Sequence, residues 1–183
     1  MAKNLLDVYQ RNPTFDPSWG AGMQQLPEGN IFVPDGWNLG WRADAPFEGI
    51  HNEPPGLVAH RPEATIINEW QGLEPELTPD YSYAWKIFVQ NPLYAWIMLN
   101  SPITLPAGNY KLQVKVWPKL HLNGVPGNPH PSDPWAAEIG LQLADSGPID
   151  WMHDLDYAAY NVLEWRFTHA GGPFNFQLHF KGK

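Results

Sequence analysis

The sequence predicts an all-β protein: a jelly-roll β-sandwich of about eight or nine antiparallel strands, folded as a single domain over residues 1–183. Apolar and polar residues alternate in many short segments, as they do on half-buried strands. The 20 prolines and 16 glycines favour turns over helices. No segment of the sequence keeps a helical period and no repeat of roughly 20–50 residues is visible, which disfavours helical bundles, propellers and solenoids.

The first half of the chain predicts few strands and long connections. We expect an opening strand at residues 5–9, followed by a region rich in proline and glycine that forms loops or sheet edges. In "GWNLGWRAD", Trp37, Leu39 and Trp41 stand at every second position and share one face of a strand. We expect this face to line the inside of the sandwich. Residues 43–62 form a long connection, and residues 64–69 a short β-branched strand.

The second half carries the clearer strand signals. Residues 83–89 and 93–99 are dense apolar runs, which predict two neighbouring buried strands. "ITLPAGNYKLQVKVW" predicts a hairpin that turns at residues 106–109. Residues 118–134, with five prolines, predict a long loop, and residues 154–162 allow a short helical turn. Alternation returns at residues 137–143, 163–167 and 174–180, and it is most regular in the last of these, "FNFQLHF".

Composition excludes several classes of function. The chain has 19 acidic and 11 basic residues, a net charge of −8, and no basic run to neutralise phosphates, so nucleic acid is not an expected partner. It has no cysteine, hence no thiolate metal ligand and no cysteine nucleophile. No apolar segment is long enough for a signal peptide or a membrane helix, so we expect a soluble chain without membrane insertion.

Four segments resemble a known family: "NLLDVYQRNPTFD", "VPDGWNLGW", "YAWKIFV" and "ITLPAGNYKLQVKV". Together, in scattered pieces over residues 4–117, they resemble carbohydrate-binding modules with a galactose-binding-like jelly roll. The resemblance implies that fold and carbohydrate recognition. It also implies a structural calcium ligand at Asp16, but the chain ends in "FQLHFKGK", without the acidic partner that completes such a site. We therefore expect no cofactor.

Tryptophan is the most informative candidate ligand-binding residue, because flat aromatic rings cover the apolar faces of sugars. Three tryptophans in dense apolar strands are expected in the core: Trp85, Trp96 and Trp165. Five tryptophans beside loops are the predicted ligand-binding residues: Trp19, Trp70, Trp117, Trp135 and Trp151. By alternation, Trp117 shares the polar side of its strand with Lys111, Gln113 and Lys115, and a loop folding over it is the alternative.

Metal and catalytic signals are weak by comparison. The seven histidines lack the spacing that pairs two imidazoles on a helix, and His121 and His130 are expected in solvent. The acidic residues of "IDWMHDLDY" lack the pattern of a calcium loop and predict a solvated turn. Four glutamates lie on or beside strands, where two of them facing each other would suit glycoside hydrolysis: Glu63, Glu69, Glu138 and Glu164. We expect a protein without catalytic activity.

Two functional hypotheses remain. The first is a non-catalytic module that binds carbohydrate through exposed tryptophans. The second is a structural assembly protein, such as a virion decoration or filament subunit, which would form a homo-oligomer or attach to a protein lattice or shell. Either function would place the chain outside the cell or on a virion surface.

Overall fold

The computed structural model describes residues 4–9, 11, 15, 20–42, 61–68, 83–88, 93–118, 137–143, 147–157 and 159–182. These residues are almost entirely β, which confirms the predicted fold class. They form a four-residue helical turn, α1 (Leu5–Val8), and thirteen strands: β1 (Met23–Gln25), β2 (Phe32–Pro34), β3 (Trp37–Trp41), β4 (Glu63–Asn68), β5 (Tyr83–Phe88), β6 (Leu93–Leu99), β7 (Ile103–Leu105), β8 (Gly108–Val116), β9 (Ala137–Gln142), β10 (Asp150–Met152), β11 (Asn161–His169), β12 (Gly172–Phe174) and β13 (Gln177–Gly182). The count exceeds the predicted eight or nine because five strands have three residues each, too few for a sequence period to be recognised.

The largest sheet has five antiparallel strands in the order β10-β9-β13-β6-β3. The last strand, β13, lies at its centre and pairs over six residues with both β6 and β9. The tryptophan strand β3 forms one edge, with Trp37 opposite Leu99 of β6. The short strand β10 forms the other edge.

A long two-stranded ribbon forms the second major element. Strands β8 and β11 pair over nine residues, and β7 and β12 continue in the same register beyond a break at residues 106–107 and 170–171. Pro106 lacks the amide donor that the ladder needs there. Gly171 takes a φ of 96°, which favours glycine. The predicted turn at residues 106–109 is therefore wrong: β7 and β8 are successive parts of one ribbon strand and do not form a hairpin.

Two smaller hairpins complete the described strands. Strand β1 pairs with β2, and β4 pairs with β5. A parallel bridge between Ile31 and Ala64 joins the two hairpins, and the Trp85 indole donates to the Phe32 carbonyl oxygen at 3.1 Å. Because β5 pairs with β4 and β6 lies in the five-stranded sheet, the prediction that these two strands are neighbours is wrong.

One apolar cluster joins the sheet, the ribbon and the hairpins, as in a β-sandwich. The sheet contributes Trp37, Leu39, Ile97 and Leu178, and the ribbon contributes Trp165, which is 4% exposed. The predicted core positions of the last alternating segment are confirmed: Phe174, Phe176 and Leu178 are buried, and Phe180 packs against the cluster. The jelly-roll connectivity and the single-domain organisation stay predictions.

Three local predictions need correction. Residues 5–8 form a helical turn and not a strand, because the Asn4 side chain caps it by accepting from the Leu6 amide at 3.1 Å. Leu143 is 39% exposed because β9 ends one residue earlier. The segment 174–180 is divided between β12 and β13 at Asn175, whose side chain donates to the Leu99 carbonyl oxygen and accepts from the Phe176 amide. Within the described residues, α1 is far too short to cross a membrane.

Candidate functional site

The side of the five-stranded sheet opposite the apolar cluster carries an unusual mixture of rings, amides and charges. We call it the polar face. Alternation assigns to it Asn38, Gly40 and Arg42 from β3 and its end, Tyr94, Trp96 and Met98 from β6, Gln177, His179 and Lys181 from β13, Glu138, Gly140 and Gln142 from β9, and Trp151 from β10. None of these residues belongs to the apolar cluster.

The centre of the polar face is a single row of register partners that crosses all five strands. Gly40 is opposite Trp96, Trp96 is opposite His179, His179 is opposite Gly140, and Gly140 is opposite Trp151. The two glycines leave room for the two indoles. A Cβ on Gly40 would lie 2.3 Å from Cε2 of Trp96. One on Gly140 would lie 2.4 Å from Cγ2 of Ile149 and 2.6 Å from Cε3 of Trp151. Trp96 thus lies against the sheet at Gly40, and Trp151 lies against it at Gly140 together with Ile149.

The rings of the polar face contact one another through His179. Its ring centroid lies 5.7 Å from that of Trp96, 6.0 Å from that of Trp151 and 5.8 Å from that of Tyr94. Tyr94 meets both indoles edge-on, at 6.0 and 6.4 Å. Such edge-to-face contacts are favourable aromatic geometries. His179 and Tyr94 are buried, whereas Trp96 and Trp151 are half-buried, so part of each indole is open to a ligand.

Two cations contact these rings. The Lys181 ammonium lies 4.2 Å from the centroid of Trp151 and 5.1 Å from that of Tyr94. The Arg42 guanidinium lies 4.9 Å from the Tyr94 centroid. These are cation–π distances, at which the ring quadrupole attracts the charge. Lys181 is buried and Arg42 is exposed.

His179 is held as a neutral imidazole with a defined tautomer. Burial, together with the charges of Lys181 and Arg42, lowers the pKa of His179 from 6.5 to about 4. Its Nε2 lies 3.2 Å from Oε1 of Gln142, and that amide is oriented because its Nε2 donates to the Gly147 carbonyl oxygen. The proton of the neutral ring is therefore on Nε2. Nδ1 is a buried acceptor, and no donor among the described residues bonds it.

Glu138 supplies a second acceptor of this kind. It lies on β9 directly opposite Lys181, and it is 3% exposed. Its Oε2 is buried and has no hydrogen-bond partner within the part of the chain that the structure describes. Buried polar atoms in folded proteins are nearly always paired, and an unpaired one costs about 1–3 kcal/mol. Oε2 of Glu138 and Nδ1 of His179 lie in adjacent rows of the polar face, buried beneath its surface.

The predicted ligand-binding tryptophans fall in different places. Trp151 lies on the polar face. Trp117 follows β8 and is half-buried: its indole donates to the Tyr157 carbonyl oxygen at 2.9 Å, and its ring lies 5.7 Å from that of Tyr160. These contacts correspond to the alternative prediction for Trp117, in which another segment of the chain folds over it. Trp19, Trp70, Trp135 and the proposed calcium ligand Asp16 lie outside the described residues, as do His121 and His130.

The three tryptophans predicted to be core differ as well. Trp165 is buried in the core and Trp85 packs against it, as predicted. Trp96 does not contribute to the core, because alternation along β6 places it on the opposite side of the sheet from Ile97 and Leu99. The run "LYAWIML" is apolar on both faces, so its period gives no sign of this. The feature of the sequence that could have indicated the position of Trp96 is the pair of glycines, Gly40 and Gly140, inside otherwise regular strands.

The described glutamates do not form a facing pair. Glu138 lies on the polar face of the sheet, whereas Glu164 lies on the ribbon and bonds Lys111 at 3.1 Å and Arg166 at 2.5 Å. Glu63 is exposed on β4, and Glu69 is outside the described residues. Asp150, Asp154 and Asp156 are exposed, but only Asp154 and Asp156 lie outside a strand, because Asp150 begins β10. The described residues hold no group of three metal-binding side chains.

Two concave regions lie away from the polar face. One, of about 320 Å³, lies between the β10 edge and the ribbon, with a mainly apolar lining that includes Leu141, Trp165 and Phe167. The other, of about 450 Å³, is a shallow surface on the ribbon around Lys111 and Arg166. The polar face is the stronger candidate site, because it brings two half-buried indoles together with cations and amides. Comparison of the chain with family models, curated proteins and solved structures gives no match, so function has to be argued from these residues.

Proposed function

We propose that this chain is a non-catalytic carbohydrate-binding domain and that its ligand lies across the polar face. The observation that carries the proposal is the central row, in which Trp96 and Trp151 lie against the sheet over Gly40 and Gly140 with the neutral ring of His179 between them. Indoles in this position present flat, half-exposed surfaces on both sides of a polar centre. The apolar face of a pyranose stacks on such a surface.

The polar groups between the indoles suit the rest of a sugar. Nδ1 of His179 and Oε2 of Glu138 are buried beneath the face, so sugar hydroxyls would bind the polar side chains that solvent reaches. The amides of Asn38 and Gln177 lie one row away on the same face and offer both donors and acceptors. A few placed polar groups beside aromatic rings is the usual composition of a small-molecule site.

Isothermal titration calorimetry against soluble glucans, xylans, mannans, galactans and acidic polysaccharides tests the proposal. The variant Trp151→Ala should weaken binding about two- to tenfold, because aromatic contacts contribute about 0.5–1.5 kcal/mol beyond the area they bury. Trp117→Ala is the matched control: it removes an equally half-buried tryptophan from the end of the ribbon strand. Loss of affinity in Trp117→Ala with none in Trp151→Ala would move the site to the ribbon. Absence of binding to every polysaccharide would refute the proposal.

An assembly protein is the second candidate, and the β1 edge favours it. Strand β1 is exposed at all three positions, and Met23 is 40% exposed. Val162 on the ribbon is 60% exposed. Exposed strand edges and apolar side chains are contact points for another chain. Multi-angle light scattering separates the candidates, since a binding module is expected as a monomer and an assembly subunit as an oligomer whose mass grows with concentration.

A further inference from the structure

The polar face has an excess of positive charge within an acidic chain. The chain carries a net charge of −8, yet this face holds two cations, Arg42 and Lys181, and one carboxylate, Glu138. His179 adds no charge near neutral pH, because its pKa lies at about 4. Glu138 is buried directly opposite Lys181 and offsets that charge. The charge that remains is that of Arg42.

Arg42 is also the cation that a ligand can reach. Its side chain is exposed at the end of β3, where its guanidinium lies over the Tyr94 ring. No carboxylate among the described residues pairs with it. Exposed Arg166 on the ribbon differs in this respect, because Glu164 binds it at 2.5 Å. A guanidinium has five donors in a planar fork, and stacking on a ring leaves that fork free to bind a carboxylate through two parallel hydrogen bonds.

We propose that the ligand of the polar face is an acidic polysaccharide, in which a uronic acid places its carboxylate on Arg42. This inference rests on the proposed carbohydrate function and adds the chemical class of the ligand. Arg42 pairs with Tyr94 in the row next to the central row, because its amide donates to the Tyr94 carbonyl oxygen at 2.9 Å. A sugar stacked on Trp96 is therefore one row away from the guanidinium. The same sugar residue brings hydroxyl donors to the face and a carboxylate to its cationic rim.

The inference is tested with polymers that differ only at the carboxyl group. Alginate, polygalacturonate and hyaluronan are each titrated beside the carboxyl-reduced form of the same polymer, in which the uronic acid has become a neutral sugar. At least one acidic polymer should bind about tenfold or more tightly than its reduced form, as expected for a charge-assisted bidentate contact. Arg42→Ala should bring the two affinities to within about twofold of each other, and Arg42→Lys, which keeps the charge and loses the fork, should give an intermediate ratio.

Arg166→Ala is the matched control, since it removes an exposed arginine from the ribbon and should leave the preference unchanged. If a polysaccharide binds through Trp151 but every reduced polymer binds as well as its acidic form, the acidic class is wrong and the carbohydrate function stands. If Arg42→Ala keeps the preference for the acidic form, the carboxylate does not bind Arg42 and the inference is overturned, while the carbohydrate function again stands. If neither acidic nor neutral polymers bind, the carbohydrate function fails and takes this inference with it.

Discussion

The sharpest test of the central row is the substitution Gly40→Ala. The methyl group would lie 2.3 Å from Cε2 and 2.5 Å from Nε1 of Trp96, more than 1 Å inside an ordinary contact of about 3.4–4 Å. The backbone φ at this position is not in the left-handed region, so alanine meets no backbone strain. The destabilising part of the effect therefore comes from displacing the indole. Inserting a methyl group into a packed position costs about 1–3 kcal/mol.

Gly108→Ala is the matched control, because it also lies in a strand and its added Cβ would meet Tyr110 at an ordinary 3.6 Å. Replacing glycine by alanine without strain stabilises a protein by about 0.4–1 kcal/mol through the unfolded chain. We expect Gly108→Ala to be neutral or stabilised and Gly40→Ala to be less stable than Gly108→Ala by about 1–3 kcal/mol. In a domain of this size that difference corresponds to roughly 2–12 °C in Tm, measured by circular dichroism or calorimetry.

A double-mutant cycle assigns the loss to the indole. In a Trp96→Ala background the methyl group on residue 40 has open space, so Gly40→Ala should cost little or become stabilising. The near-ultraviolet circular dichroism of the single variant should also change, because the Trp96 ring leaves its position beside His179. Equal costs of Gly40→Ala in both backgrounds would show that Trp96 does not lie over Gly40, and the proposed platform would lose its basis.

Three further outcomes are expected. The pKa of His179 is about 4 in the folded protein and 6.5 in the unfolded chain, so between these values the unfolded chain binds more protons. The contribution of His179 to the free energy of unfolding is complete above pH 6.5 and falls by up to about 3 kcal/mol as the pH drops through 4. The variant His179→Gln should flatten this part of the pH dependence, measured by denaturant unfolding at a series of pH values. The hydrogen bond from Lys111 is the largest cause that lowers the pKa of Glu164. The stabilisation of the folded protein by Glu164 is therefore present above the pKa of the unfolded chain and is lost as the pH falls through the folded pKa. The variant Glu164→Gln should have a lower Tm than the parent protein, and this difference in Tm should shrink at high salt. Phe176→Ala should destabilise by about 3–5 kcal/mol in urea unfolding, because the side chain is 4% exposed within the core.

The fold class could be predicted from the sequence because strand periodicity is local. Trp37, Leu39, Phe176 and Leu178 are buried where alternation places them. Pairing could not be predicted in the same way. Pro106 and Gly108 resemble a turn, yet they lie in a ribbon strand whose partner, β11, is more than forty residues away along the chain. Turn residues indicate where a ladder breaks, and tertiary pairing decides whether the chain reverses there.

The polar face could not be predicted from the sequence, because its strand β6 is apolar on both sides. A strand that is apolar on both sides normally indicates burial on both sides, and Trp96 was therefore expected in the core. On the central strands of this sheet the second side instead carries rings that alternate with polar groups: Trp96 and Tyr94 on β6, and His179 and Lys181 on β13. If this side merely packed against protein, aliphatic side chains would fill it at no electrostatic cost. Burying a lysine, a glutamate and a neutral histidine there lowers the stability of the free protein, and the proposed binding function would account for this cost.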